Sequence, residues 1–404
     1  MTIKLKRDRY LDTLYRFKDV DLVKIITGIR RCGKSTVMEM FKDHMIESGV
    51  SPEKILHMKF DHPDYVWIED YKTLLEEIKS NIELSEGSYI FLDEIQDVEG
   101  WERAVGAIYA AGVDVYITGS NSRLMSSEFA TYISGRFVEI KMYPLTFREY
   151  IQSSEDRKGD LKKALDSYKR YGGFPIVALS EINNKADYHM ILSGIYDTVF
   201  LKDVIERNEI RDIATIKNIS RFLMKNIGNP TSVRSISNYI TSKGGKTHPA
   251  TADTYIHYLE SAYLVCRGKK YDVKTKDYLR TADKFYVADL GIRNNVVGYD
   301  EEDRSGLLEN LVFLELLSRG KEVMVGQVGD KEIDFVIKED EFRHYYQVTD
   351  NLYDEEVKKR EIRSLLLVGD NYPKTIITNE LYPSKNIEGI KVVNIIDFLL
   401  EEYE

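Results

Sequence analysis

The segment LVKIITGIRRCGKSTVMEMFKDHM, residues 22–45, decides the fold. An apolar run (22–28) leads into GIRRCGKS (28–35), which fits G-x-x-x-x-G-K-[ST] at every position, and STVMEMFKDHM then reads as a helix. Strand, glycine-rich turn and helix in that order make a phosphate cradle. Gly28 and Gly33 let the backbone turn successive N–H groups toward one anion. The helix behind them presents its N-terminal N–H groups and dipole to the β-phosphate. Lys34 neutralises charge on the β- and γ-phosphates of ATP, and the Ser35 hydroxyl is placed for Mg²⁺. Ile29, Arg30, Arg31 and Cys32 fill the loop between the glycines, and Thr36 follows Ser35, so residues 28–36 form the nucleotide-binding stretch. Cys32 reads as a spacer rather than a nucleophile.

Outward from this segment the pattern repeats. KILHMKF (54–60), YIFLDE (89–94) and VDVYITGS (113–120) are β-rich apolar runs, separated by helical stretches such as YKTLLEEIKSNIEL. Near-continuous apolar strands alternating with helices predict an α/β fold, a parallel P-loop sheet covered by helices on both faces. YIFLDEIQ brings two carboxylates to a strand end: Asp93 to hold Mg²⁺, Glu94 to take a proton from attacking water as general base. A third strand ends in small polar residues, where Ser120 or Asn121 is placed to orient water or read the γ-phosphate. Arg136, in SGRF, suits an arginine finger and a structural arginine equally.

GIRRCGKST, FLDEIQ, ITGSNS, SGRF and YPLTFREY together resemble the prokaryotic AAA+ P-loop ATPases of the AAA_14/DUF4143 family. YGGFP (171–175), KFYVADLGIRN (284–294), GLLENLVFLELL (306–317) and EIDFVI (332–337) extend the resemblance over nearly the whole chain. It implies an ATPase module followed by a winged helix, with subunits that often complete one another's sites.

The length of 404 residues suits two or three domains. Three are expected: an ATPase domain at 1–150, a helical region with a winged helix at 151–295, and a third module at 296–404. The polar segment QSSEDRKGD (152–160) reads as a surface loop between the first two. The N-terminus has no apolar signal core, and no run approaches the roughly 18–20 apolar residues of a membrane span. Two cysteines, Cys32 and Cys266, far apart and outside any CxxC, leave no disulfide framework or cysteine zinc site. The chain reads as cytoplasmic, with no membrane partner.

The net charge of −10 is unevenly spread. Residues 211–280 carry 13 Lys and Arg against 5 Asp and Glu, whereas residues 296–404 carry 13 against 25. DNA contact is therefore expected in the basic middle. NPTSVRSISNYITSKG and THPATADTYIHYLESAYLV suggest two helices of a winged helix, the second opened by Pro249. CRGKKYDVKTKDYLRTADKFYV resembles a basic wing, with Arg234, Lys243, Lys246, Lys269, Lys270, Lys274 and Lys276 as phosphate contacts.

In the tail, Glu309 on a helix, Asp334 in EIDFVI and YYQVT (345–349) resemble a restriction-endonuclease-like core of PD-(D/E)xK type. Such cores bind a divalent metal through acids and use a lysine to position water. Here Gln347 replaces the second acid and Thr349 the lysine, with Lys338 and Lys358 as the nearest substitutes. The acidic balance disfavours wrapping a polyanion, so a fold kept for binding without cleavage is expected ahead of a nuclease. Three readings follow. An Mg-dependent ATPase acts on DNA or a DNA-bound partner; a slow ATP-dependent switch binds a protein; or ATP gates a metal-dependent nuclease. Oligomeric state is open among them.

Overall fold

The computed structural model describes residues 5–401 except 126, 181–183, 246, 280–281, 301–302, 382 and 384; Lys246 thus lies outside the described residues. The chain divides into two compact units, residues 1–143 with 261–263, and residues 144–260 with 264–404.

The first unit is built on five parallel strands in the order β2-β3-β4-β1-β5. They are β1 (Val23–Gly28), β2 (Ile55–Lys59), β3 (Tyr89–Asp93), β4 (Asp114–Gly119) and β5 (Phe137–Met142). Strands β1 and β3 are buried at every residue, because helices cover both faces of the sheet. On one face Ile90 and Leu92 pack with Leu74, Ile78, Trp101, Ala104 and Ile108 from two helices. On the other, Phe91 stacks on Tyr116 at 4.7 Å and meets Phe41 of the helix Lys34–Glu47. Strand β5 was not legible as a strand. FVEIKM is an edge strand, partly exposed along its length, and lacks the apolar run of its neighbours.

The second unit begins with helices. QSSEDRKGD is not the expected loop throughout: Glu155–Gly159 is a helical turn. Further on, Ile213–Lys225, Val233–Ser242 and Pro249–Ser261 are helical. Ser232 opens the second of these with a capping box, its Oγ accepting the Ser235 N–H at 3.0 Å.

The basic segment after them is a hairpin whose middle is also taken into a larger sheet. Its outer parts, β6 (Val265–Gly268) and β9 (Lys284–Val287), pair antiparallel. Its middle, β7 (Lys270–Asp272) and β8 (Asp277–Tyr278), joins an eight-stranded sheet, β7 lying parallel to β10 (Val323–Val328). That sheet continues through β11 (Lys331–Glu339), β12 (Phe342–Thr349) and β13 (Lys374–Thr378) to β15 (Ile390–Asn394) and β14 (Asn386–Ile387). The helix Glu355–Leu366 packs Ile362 and Leu365 on a face carrying Val336 and Tyr345. Phe335, next to Val336 and so directed to the other face, meets Phe313 of the helix Arg304–Ser318. No helix among the described residues is long and apolar enough to cross a membrane.

Candidate functional site

The loop after β1 takes a shape that only its glycines permit. Gly28 has φ +142°, and a Cβ there would lie 2.2 Å from the Met142 carbonyl oxygen on the adjoining strand. Gly33, at φ +106°, is the left-handed residue from which the helix starts. Arg7, buried and outside every motif, donates to the Cys32 carbonyl (3.1 Å) and the Tyr143 carbonyl (3.0 Å), clamping the loop to the end of β5. Cys32 is fully buried, and burial pushes its thiol above the usual range. That environment suits the spacer reading, since a reactive thiol needs access and a lowered pKa.

Lys34 is 3% exposed. Its Nζ donates to the carbonyls of Gly28 (3.1 Å) and Ile29 (3.5 Å) and lies 3.3 Å from Glu94 Oε1. Asp93 and Glu94 share the strand end but have opposite environments. Burial raises the Asp93 carboxyl against the opposing hydrogen bonds of Thr118 and Ser35. Burial also works to raise Glu94, but Lys34 and Arg30 outweigh it and hold that carboxyl below its usual value. Thr118 links the two, its hydroxyl donating to Asp93 and accepting the Glu94 N–H at 2.9 Å. Ser35 and Asp93 thus meet as a set of hard oxygen donors, which fits Mg²⁺.

At the end of β4, Ser120 and Asn121 are buried, and Arg30 reaches Ser120 Oγ at 3.3 Å. Arg31 and Thr36 are exposed, and Ile29 is buried. Arg136 is not brought to the loop of its own chain. It precedes β5, whose start is level with Val23 and whose end is level with Gly28, so it lies at the opposite edge of the sheet. There its exposed guanidinium faces Asp21 at 3.4 Å. Gln96, the last residue of YIFLDEIQ, also belongs to the site, although that motif assigns it no role. Its Nε2 donates to Glu94 Oε2 at 2.7 Å, and it fits beneath β4 because Gly119 has no Cβ, which would sit 2.3 Å from Gln96 Oε1. Its position two residues beyond Glu94 was the available signal.

The second unit holds another buried charged cluster. Glu309 and Asp334 do converge, around Lys284 from β9 rather than Lys338 or Lys358. Lys338 is exposed, and Lys358 pairs with Glu355 at 3.2 Å on its own helix. Lys284 Nζ lies 2.6 Å from Glu332, 2.8 Å from Glu309 and 3.4 Å from Asp334. The Tyr286 hydroxyl donates to Glu309 at 2.6 Å, and the Val348 N–H donates to Asp334 at 2.9 Å. YGGFP and VADLGIRN also meet in this unit. Asp289 accepts the Gly173 N–H (2.7 Å) and the Ile292 N–H (3.0 Å), and a Cβ on Gly172 would strike its carboxylate at 2.1 Å.

Residues 21–151 match the model of an AAA domain family, AAA_14. Residues 162–303 match a domain of unknown function, DUF8612, where the sequence points to DUF4143. An uncharacterized protein of Haemophilus influenzae is 38% identical over 403 residues, covering 98% of this chain and 99% of its own. An uncharacterized protein of Methanocaldococcus jannaschii is 30% identical over 393 residues, covering 92% and 84%. The solved Walker-type ATPase of Pyrococcus abyssi is 15% identical and aligns over 72% of this chain and 95% of that one, with a TM-score of 0.47. With a complete phosphate loop closing β1 and an acid pair closing β3, the chain belongs to the AAA+ family of P-loop ATPases.

Proposed function

We propose that the first unit hydrolyses ATP and that the second delivers the result to DNA or to a DNA-bound partner. The observation that carries the hydrolysis is the contact between Lys34 and Glu94. A cation suited to phosphate and a carboxylate suited to a general base lie 3.3 Å apart, each held in its charged form. Lys34 meets the β- and γ-phosphates, which compete with Glu94 for its ammonium. Released from Lys34 and still oriented by Gln96, Glu94 accepts the proton of a water attacking the γ-phosphorus while the bond to the β-phosphate oxygen breaks. Arg30, which reaches Ser120 Oγ at 3.3 Å, and the neighbouring Asn121 are the side chains we assign to the γ-phosphate. Ser35 and Asp93 would hold Mg²⁺, which would supply charge neutralisation for the phosphate oxygens. Arg136, at the opposite edge of the sheet, takes no part in hydrolysis at the site of its own chain.

The basic surface supports nucleic acid contact through Arg234, Lys243, Lys269, Lys274 and Lys276, all exposed. One observation favours a protein partner instead. Arg267 is paired with Glu260, Asp283 and Asp253, and Lys270 with Glu332, so part of the basic excess is neutralised internally. Turnover with and without duplex DNA, in wild type and Glu94→Gln, tests both. The variant should bind ATP normally and turn over about 10²- to 10⁴-fold more slowly; normal hydrolysis would sink the general-base role. DNA binding that does not weaken with salt would argue against phosphate contacts.

A further inference from the structure

The acids of the C-terminal sheet resemble a nuclease metal centre, but the surrounding atoms do not. Among the described residues no three His, Cys, Asp or Glu side chains are grouped to hold a metal ion. Gln347 Oε1, the third oxygen expected there, accepts the Asp334 N–H at 3.4 Å. The Thr349 hydroxyl donates to the Asn351 carbonyl at 3.2 Å. Between Glu309 and Asp334, where a divalent ion would bridge the two carboxylates, stands the ammonium of Lys284. It arrives from β9, a strand of the separate two-stranded sheet, so the cation is supplied from outside the acid-bearing strands.

We infer that Lys284 is the resident cation of this centre, taking the place of a divalent metal between Glu309 and Asp334. The C-terminal module is then a metal-independent binding fold and not a nuclease. Geometry supports the exchange. Three carboxylates surround Nζ within 3.4 Å, and an ammonium has three donors to give them. A metal in the same place would be about 3 Å from a fixed positive charge and would lose its attraction to the acids. Access is not what keeps metal out. Glu309 lines a pocket of about 210 Å³ with Lys225, Gly228, Asn229 and Ser305. Gly228 leaves the carboxylate uncovered, since a Cβ there would lie 3.0 Å from Glu309 Oε2.

Mn²⁺ titration of the nucleotide-free full chain, followed by electron paramagnetic resonance, tests this. Wild type and Asp334→Asn should bind Mn²⁺ alike, because Asp334 holds none. Lys284→Ala should gain one site per chain, at least about 100-fold tighter than any wild-type binding at this centre, and lose it again when Asp334→Asn is added. Lys284→Gln, closer in volume, gives the same readout if the alanine variant does not fold. A wild-type Mn²⁺ site abolished by Asp334→Asn would overturn the inference. So would a folded Lys284 variant that gains none. If neither variant folds, the wild-type comparison with Asp334→Asn decides alone. ATP turnover enters none of these readings, so they stand or fall apart from the function proposed for the first unit.

Discussion

Lys34 and Lys284 are both 3% exposed and both contact a glutamate, yet their surroundings differ in kind. Lys34 has one carboxylate at 3.3 Å and two backbone carbonyls, both from the phosphate loop itself. Lys284 has three carboxylates, two of them within 2.8 Å. The first lysine can transfer its charge to phosphate, because one carboxylate holds it. The second has no partner to gain. Burying a charge costs several kcal/mol in either place, so what distinguishes function from architecture is whether the compensation is complete.

The largest test of this contrast is Lys34→Ala. ATP affinity should fall at least about 100-fold, measured by titration with a fluorescent analogue, since a charge-assisted contact to two phosphates is lost. Affinity kept within about threefold would mean that Lys34, like Lys284, spends its charge on its own chain. Next comes Lys284→Met, which strands the acids and should cost about 3–5 kcal/mol in urea denaturation. A loss below about 1 kcal/mol would show that the cluster does not depend on its cation.

The acids allow a finer test through pH. Burial, with Asp334 beside it, raises the Glu309 carboxyl from 4.5 to about 8 despite the opposing Lys284. The folded chain therefore holds this proton more tightly than the unfolded chain. The resulting stability is complete below about pH 4.5 and declines as pH rises through about 8. Glu309→Gln should flatten that decline in thermal midpoint, and an unchanged slope would assign it to other groups. The smallest expected effect is at Gln96. Without its hydrogen bond to Glu94, Gln96→Ala should lower kcat about tenfold with KM little changed. An equal loss in ATP affinity would mean that Gln96 shapes the pocket rather than aiming the base.

The first unit was the more legible half because its chemistry is local in sequence. Phosphate loop, acid pair and strand-end polar residues each lie within one strand and the turn after it, and parallel pairing aligns those turns at one edge of the sheet. Arg7, which clamps the loop, and β5, a half-exposed edge, carry no such pattern. In the second unit the deciding residue, Lys284, precedes its nearest acid partner in the chain by 25 residues, on a strand that belongs to another sheet. Reading the acid motif in order shows a lysine missing at Thr349 and gives no hint that one returns from upstream. The basic segment does form a hairpin, β6 pairing with β9 and β7 with β8, but alternating lysines do not tell whether a sheet edge captures it. Here β10 does.

That captured hairpin bears on how the chain can be divided. A fragment starting at residue 296 keeps the acids but discards β7, β8 and β9, and with them both Lys284 and the neighbour that closes β10. It would present a bare strand edge to other copies of itself and an uncompensated nest of carboxylates to solvent cations. Aggregation or metal uptake by such a piece would be a product of the cut. The tail inherits its chemistry from the segment before it, and that segment is tied in turn to the helices upstream, where Gly173 donates its N–H to Asp289.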